Sequence, residues 1–345
     1  MRGAGSALVL AALAALAATT PAVAAATVPL PVTAVLAGDQ QTSVVVDLSS
    51  STRPGPRSAS VTTAGARRPA TLVPLMSAGL AVTIVVDTST ADAATLPAWL
   101  SAGARFILEA PAGTRATVIG TSAPAAAIAP PQQGPTGIVA ALNGVRPHGD
   151  RDTATALARA AQQFPGVAAG RKVTVVYTGA ADAGGPSAAA LAAQFKAAGV
   201  ILVVATTADA SPYWTTAAEA TGGFFAPAGH PVVVPALDQV ETTLASRYLV
   251  QFPTPADRPA TVSVQVTTPD LALAADVPLP ARPAPRPAGR SRTLTAALTA
   301  VVIVVLALAA GGALLYRSRR NRRPPPIVIA HGRAAVPTAP PPSEP

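Results

Sequence analysis

The sequence contains no cysteine, and aromatic residues make up only 3% of its 345 residues. Without cysteine the chain has no disulfide, no thiolate nucleophile and no zinc–thiolate site. Half of the residues are apolar, and many of these are alanine or valine, so we expect a core of small side chains. The length accommodates one large or two small domains with flanking segments.

The net charge of +9 lies at the ends of the chain and not in its middle. Residues 26–281 hold 14 basic and 15 acidic residues, a net charge of −1. The remaining arginines lie at position 2, between 282 and 292, and between 317 and 333. A nucleic-acid-binding domain is expected to be basic itself, so we expect no nucleic-acid partner.

The first 24 residues have the pattern of a secretory signal peptide. Arg2 precedes an apolar run at residues 7–18, and Ala22, Val23 and Ala24 follow. This order of charge, apolar run and small residues predicts export and cleavage after Ala24. The alternative is an N-terminal membrane anchor that is not cleaved.

Residues 294–316 form an uncharged apolar run directly followed by RSRRNRR. As a helix this run would extend ~34 Å, enough to cross a bilayer, and the arginines would hold their side in the cytoplasm. We therefore predict a single-pass plasma-membrane protein with an extracytoplasmic N-terminal domain and a cytoplasmic C-terminus. The alternative, a buried core helix, would need a partner layer. Residues 278–293 are predicted to be a Pro/Arg-rich linker, and residues 317–345 a disordered cytoplasmic tail.

The exported part divides into three segments by its apolar pattern. Residues 25–79 alternate in short runs and predict a small β-sheet. Residues 80–252 alternate apolar strands with helices, which predicts a Rossmann-like open, mostly parallel sheet with helices on both faces. Residues 253–277 return to a strand pattern and are predicted to extend the N-terminal sheet.

Four stretches of the middle segment resemble the von Willebrand factor type A (vWA) domains, in particular bacterial exported members. They are the strand that ends in DTSTA, the helix start GDRDTATALARAAQQF, the strand RKVTVVYTGAADAGG and the closing VETTLASRYLVQF. The resemblance covers about residues 80–252. It implies the fold just described and a role in protein binding.

In family members that bind metal, three loops supply a metal-ion-dependent adhesion site. Asp87 and Ser89 match its first loop, but Ala91 stands at the third position of that loop. Arg151 stands at the threonine position of the second loop, and Gly179 at the aspartate position of the third. Two of five ligands match, so Asp87 and Ser89 are vestigial candidates and we expect no cofactor. The alternative is a working Mg²⁺ site.

Other residues of the same loops are candidates for binding a partner. Thr153 comes two residues after the threonine position. Asp182 comes three residues after the aspartate position and is hypothesised to swing into the site. Asp152 is a natural N-cap for the helix that follows it. Arg151 is hypothesised to pair with Asp87 and so to replace the metal ion. The full candidate set is Asp87, Ser89, Asp92, Arg151, Asp152, Thr153 and Asp182.

The sequence offers no catalytic motif. His148, His230 and His331 lie in loops or in the tail, none beside a nucleophile at a recognisable spacing. Trp99 and Trp214 are expected to lie in the core. We therefore predict a protein that is not an enzyme.

Two functions remain open. The first is a cell-surface, membrane-anchored protein that presents a vWA-like domain to an unknown protein partner through its loop edge. The second is a structural or accessory subunit of an envelope complex, docking through its span and helix faces. Gly311 and Gly312 in the span would allow close helix approach in that case.

Overall fold

The structure is a computed structural model that describes residues 28–229, 232 and 234–282. The predicted signal peptide, membrane span and tail, most of the linker, His230 and His331 lie outside the described residues. Among those described, no helix is long and apolar enough to cross a membrane.

The described residues begin with six strands separated by turns rich in Gly, Pro and Ser. Residues 42–46 are all buried, whereas each of the other five strands is at least partly exposed. The strands are β1 (Val28–Pro29), β2 (Val32–Ala37), β3 (Gln41–Asp47), β4 (Ser58–Thr63), β5 (Ala66–Arg68) and β6 (Thr71–Pro74).

The middle of the chain alternates strands and helices as predicted. Its strands are β7 (Ala81–Val86), β8 (Arg115–Gly120), β9 (Ala126–Gln133), β10 (Lys172–Thr178), β11 (Val200–Thr206) and β12 (Phe224–Pro227). Its helices are α1 (Leu96–Glu109), α2 (Thr136–Asn143), α3 (Thr153–Ala161), α4 (Ala188–Ala197), α5 (Pro212–Glu219) and α6 (Val234–Ala245).

The middle strands form one six-stranded sheet in the order β12-β11-β10-β7-β8-β9. Five of the strands are parallel, and β9 is antiparallel at the edge. The sequence pattern missed β9 because Pro130 and Pro131 made the stretch resemble a loop. Proline is tolerated here because an edge strand has one set of N–H groups without a strand partner.

Helices cover both faces of this sheet, which confirms the open α/β arrangement predicted for residues 80–252. On one face, residues of β7 such as Val82 and Ile84 pack with Trp99 of α1 and Leu244 of α6. On the other face, residues from α3, α4 and α5, including Leu157, Phe195 and Trp214, form a second cluster. Both tryptophans are fully buried, as predicted.

Three further strands follow the last helix and pair with the N-terminal strands. They are β13 (Arg247–Pro253), β14 (Ala260–Thr267) and β15 (Ala272–Leu279). Together these strands form two sheets, in the orders β2-β3-β13-β6 and β1-β15-β14-β4-β5, where the sequence had predicted one. Pro278 and Leu279, placed in the linker by the sequence prediction, pair with β14 instead.

Candidate functional site

The candidate residues lie where β7, β8 and β10 end, at the carboxyl edge of the parallel sheet. Open α/β sheets bind their ligands at this edge. Three segments meet there: the loop after β7, the loop after β8, and the segment that leads into α3. Backbone hydrogen bonds join them, among them His148 N–H to Thr88 O at 2.9 Å and Asp152 N–H to Thr121 O at 2.6 Å.

Asp87 is fully buried and its carboxylate is surrounded by donors from the protein. Its Oδ1 accepts from the Ser89 hydroxyl at 2.7 Å, the Ser89 N–H at 3.2 Å and the Thr121 hydroxyl at 2.9 Å. Its Oδ2 accepts from the Thr178 hydroxyl at 2.8 Å and from Arg151 Nε at 2.6 Å. Five donors and one positive charge therefore offset the cost of burying this carboxylate.

Arg151 reaches Asp87 because its backbone is fixed beside the β8 loop. It forms an antiparallel β-bridge with Ser122, and the next residue, Asp152, is the N-cap of helix α3. The Arg151 side chain is 29% exposed, so the guanidinium contacts both the buried carboxylate and the surface. The hypothesised Asp87–Arg151 pair is present in the structure.

Asp92 is a second buried carboxylate beside this pair. Its Oδ2 accepts from Trp99 Nε1 and from the Gly179 N–H, each at 2.9 Å, and its Oδ1 lies 4.0 Å from Arg151 Nη2. A Cβ atom on Gly179 would lie only 2.2 Å from Asp92 Oδ1. Glycine at the third-loop position therefore leaves the space that the Asp92 carboxylate fills.

Asp182 does not join the site around Asp87. Its side chain is exposed and its Oδ1 accepts from the Gly184 N–H in its own loop at 2.7 Å. In this structure Asp182 therefore lies away from the metal position that the sequence analysis considered for it. The acid that approaches Gly179 is Asp92, from the first loop, because the missing side chain of Gly179 makes room for it.

Asp152 and Thr153 lie at the start of α3. Asp152 Oδ1 accepts from the Thr155 N–H at 3.2 Å, which is the predicted N-cap. Thr153 is only 3% exposed, and its hydroxyl has no hydrogen-bond partner among the described residues. A buried hydroxyl without a partner is costly and calls for an explanation.

An open cleft of about 250 Å³ lies between the start of α3 and the loop after β10. Arg151, Asp152, Thr153 and Asp182 line it, together with alanines and Gly184. Burial raises the pKa of the Tyr213 phenol, and the nearby Asp182 carboxylate raises this pKa further. The cleft brings four of the seven candidate residues to one surface.

The residues around Asp87 do not fit a Mg²⁺ ion. Mg²⁺ requires near-octahedral oxygen ligands, but both Asp87 oxygens are already used by protein donors and a guanidinium lies 2.6 Å from one of them. Ala91 and Gly179 bring no side-chain oxygen. Within the described residues no three acidic or histidine side chains are grouped so that they could hold a metal ion.

Thr121 and Thr178 were not identified from the sequence, although both donate to Asp87. Each stands at or just after the end of a strand that pairs directly with β7. The carboxyl ends of neighbouring parallel strands meet at one edge, so hydroxyls at these positions were the available signal. Identifying these two threonines from the sequence would have required knowing that β7 pairs with both β8 and β10.

Of the three histidines, His148 alone lies among the described residues. The ring of His148 is exposed, and its Nδ1 lies 3.0 Å from the carbonyl oxygen of Arg146. No hydrogen bond between this ring and a serine or threonine hydroxyl occurs among the described residues.

No protein-family model and no characterised protein matches the chain by sequence. Solved structures do match it. Proximal thread matrix protein 1 from the mussel byssus is 15% identical over 54% of this chain and 50% of its own, with a TM-score of 0.44. BatB from Bacteroides thetaiotaomicron is 13% identical over 48% and 97%, with a TM-score of 0.40. The SpRpn10 VWA domain is 11% identical over 46% and 94%, with a TM-score of 0.33.

The chain has a vWA-like fold. The aligned region spans about half of the mussel protein, and likenesses at this level say nothing about function. At the edge of this vWA-like domain, Arg151 lies against Asp87, the residue that follows the first parallel strand.

Proposed function

We propose that the chain is a cell-surface protein that presents its vWA-like domain to a protein partner, without a metal ion and without catalysis. The observation that carries this proposal is the open cleft at the carboxyl edge of the sheet, beside the Asp87–Arg151 pair. The edge retains exposed polar side chains around a concave surface, while the buried acid is neutralised from within.

The sequence supports a location at the cell surface. A signal peptide at residues 1–24 would export the domain, and an apolar segment at residues 294–316 would hold it at the plasma membrane. The described residues would then lie outside the cytoplasm, with the loop edge accessible to another protein.

Site-specific photo-crosslinking in the native membrane tests the proposal. A photoreactive amino acid replaces one exposed residue at a time: Thr90 and Ala181 at the loop edge, or Arg159 and Lys196 on helices α3 and α4. We expect adducts with a second protein from the edge positions and none from the helix positions.

Adducts from the helix positions alone would contradict binding at the edge. That result would favour the accessory-subunit function, in which helix faces carry the interface. A wild-type chain without the photoreactive residue, irradiated in the same membranes, is the control for adducts unrelated to the probe.

A further inference from the structure

The cleft beside Arg151 is negatively charged despite the arginine in its wall. Asp152 and Asp182 line it, and each uses only one carboxylate oxygen, for a backbone N–H of its own segment. Within the described residues the second oxygen of each accepts no hydrogen bond. One carboxylate oxygen of each aspartate therefore remains available as an acceptor along the cleft.

The positive charge of Arg151 is already balanced by two buried carboxylates. Asp87 Oδ2 accepts a hydrogen bond from Arg151 Nε at 2.6 Å, and Asp92 Oδ1 lies 4.0 Å from Arg151 Nη2. Counting Arg151 with Asp87, Asp92, Asp152 and Asp182 gives one positive and four negative charges. An approaching anion would be repelled by this set, while an approaching cation would be attracted.

Thr153 supplies an independent indication of a ligand. Its side chain lines the same cleft, is 3% exposed and has a hydroxyl with no partner in the described part of the chain. A hydroxyl oxygen accepts as well as donates, so it can receive an N–H from a group that enters the cleft. The positive end of helix α3 is meanwhile capped by Asp152, which reduces its pull on an anion.

We infer that this cleft binds a basic side chain, lysine or arginine, of the partner protein; the inference rests on the proposed function and names its ligand. The N–H donors of an ammonium or guanidinium group match the free oxygens of Asp152 and Asp182 and the Thr153 hydroxyl. Because Asp87 and Asp92 balance the charge of Arg151, the charge that remains at the edge is that of Asp152 and Asp182, which attracts cations. A metal ion is a poorer occupant, since only two carboxylates line the cleft.

The binding test uses the full chain purified in detergent and four blocked pentapeptides, Gly-Ser-X-Ser-Gly with lysine, arginine, glutamine or glutamate at X. The two tryptophans are the natural reporters. Trp214 Nε1 donates at 2.8 Å to the carbonyl oxygen of Ala180, a residue that lines the cleft. We expect saturable fluorescence changes with the lysine and arginine peptides. Their affinity should be at least about tenfold higher than that of the glutamine and glutamate peptides.

Isosteric variants locate the binding. Asp152→Asn and Asp182→Asn remove charge, and asparagine still caps helices and accepts the local N–H; Thr153→Val removes the hydroxyl. Each variant should weaken the binding of the lysine peptide about three- to fivefold, as expected for a partly exposed charge contact. Asp276→Asn, at an exposed position on β15, should leave the affinity unchanged.

Tighter binding of the glutamate peptide would overturn the inference and make Arg151 a carboxylate receptor. No saturation by the lysine peptide up to about 10 mM would overturn it as well, as would unchanged affinity in the Asp152→Asn/Asp182→Asn double variant. If the edge positions still crosslink to a protein in these cases, the ligand class is wrong but the proposed function stands. If they do not, both fail.

Discussion

At the scale of single residues, the chain keeps a buried carboxylate and supplies the countercharge from a side chain. Four hydrogen bonds from Ser89, Thr121 and Thr178 hold Asp87 in addition to the one from Arg151. Removing either member of such a pair leaves the other without its partner, which costs more than the pair contributes as a unit. The Asp87–Arg151 contact is therefore expected to be strongly coupled.

A double-mutant cycle measures this coupling. We expect Asp87→Ala and Arg151→Ala each to lower the free energy of unfolding by about 2–4 kcal/mol, with a coupling energy of about 1–3 kcal/mol. Urea denaturation followed by circular dichroism provides the values. Arg105 and Glu109 are a matched control, because their side chains are 47% and 40% exposed and lie 2.8 Å apart. This exposed control pair should couple much more weakly, and an equally weak coupling for Asp87 and Arg151 would contradict the account.

Gly179 allows a second test at this scale. The added methyl of Gly179→Ala would meet Asp92 Oδ1 at 2.2 Å and push the carboxylate away from Trp99 Nε1. We expect a loss of about 1–3 kcal/mol of stability together with a shift in tryptophan emission. Gly166→Ala is the control, because a methyl there meets nothing within 4 Å. Equal effects of the two substitutions would show that Gly179 does not make room for Asp92.

At the scale of elements, helices α1 and α6 meet at a group of acids. Burial, and then the hydrogen bond with Glu109, raises the pKa of Glu241 from 4.5 to about 7, while that hydrogen bond and Arg105 lower the pKa of Glu109. Asp238 lies in the same group and bonds to Arg105. The folded state thus holds a proton on Glu241 that the unfolded chain releases at lower pH.

This contact predicts a pH dependence of stability with a definite sign. A raised carboxyl pKa stabilises the fold below pH 4.5, and that contribution is lost as the pH rises through about 7. We expect the melting temperature of Glu241→Gln to fall less between these pH values than that of the wild type. Glu219→Gln, an exposed position on α5, should follow the wild-type profile. A Glu241→Gln profile parallel to that of the wild type would refute the assignment.

The elements show how far the sequence reaches. The alternation of strands and helices was predictable because strands such as β10 and β11 are rich in valine and other apolar residues and are flanked by turn residues. The edge strand β9 was not, because its prolines resemble a loop and only its pairing with β8 makes it a strand. Asp87, Asp92 and Arg151 were predictable as edge residues from their loop positions, whereas the contact of Asp92 with Gly179 depended on a space that no local pattern reveals.

At the scale of the whole molecule, the two ends of the described chain build common sheets. β13 lies between β3 and β6, and β14 lies between β4 and β15. Val262, Val264 and Val266 of β14 share a buried cluster with Val44 and Val61. The N-terminal strands therefore depend on residues about 200 positions further along the chain.

Truncation tests this dependence. A chain that ends after Pro253 lacks β14 and β15, which leaves the apolar face of β3 and β4 exposed to water. We expect it to aggregate, while a chain that ends after Arg282 remains monomeric and folded. Size-exclusion chromatography and circular dichroism distinguish the two. A folded, soluble chain ending after Pro253 would show that the N-terminal strands do not need β14.

The central claim is that Arg151 takes the place of a metal ion at the edge of this vWA-like domain. The most direct measurement is the melting temperature of the full chain in EDTA and then in excess Mg²⁺. We predict the same value in both, because no ligand position around Asp87 is free. A bound ion at 100 times its dissociation constant would add about 2.7 kcal/mol. A Mg²⁺-dependent rise of that size, absent in Asp87→Asn, would contradict the claim.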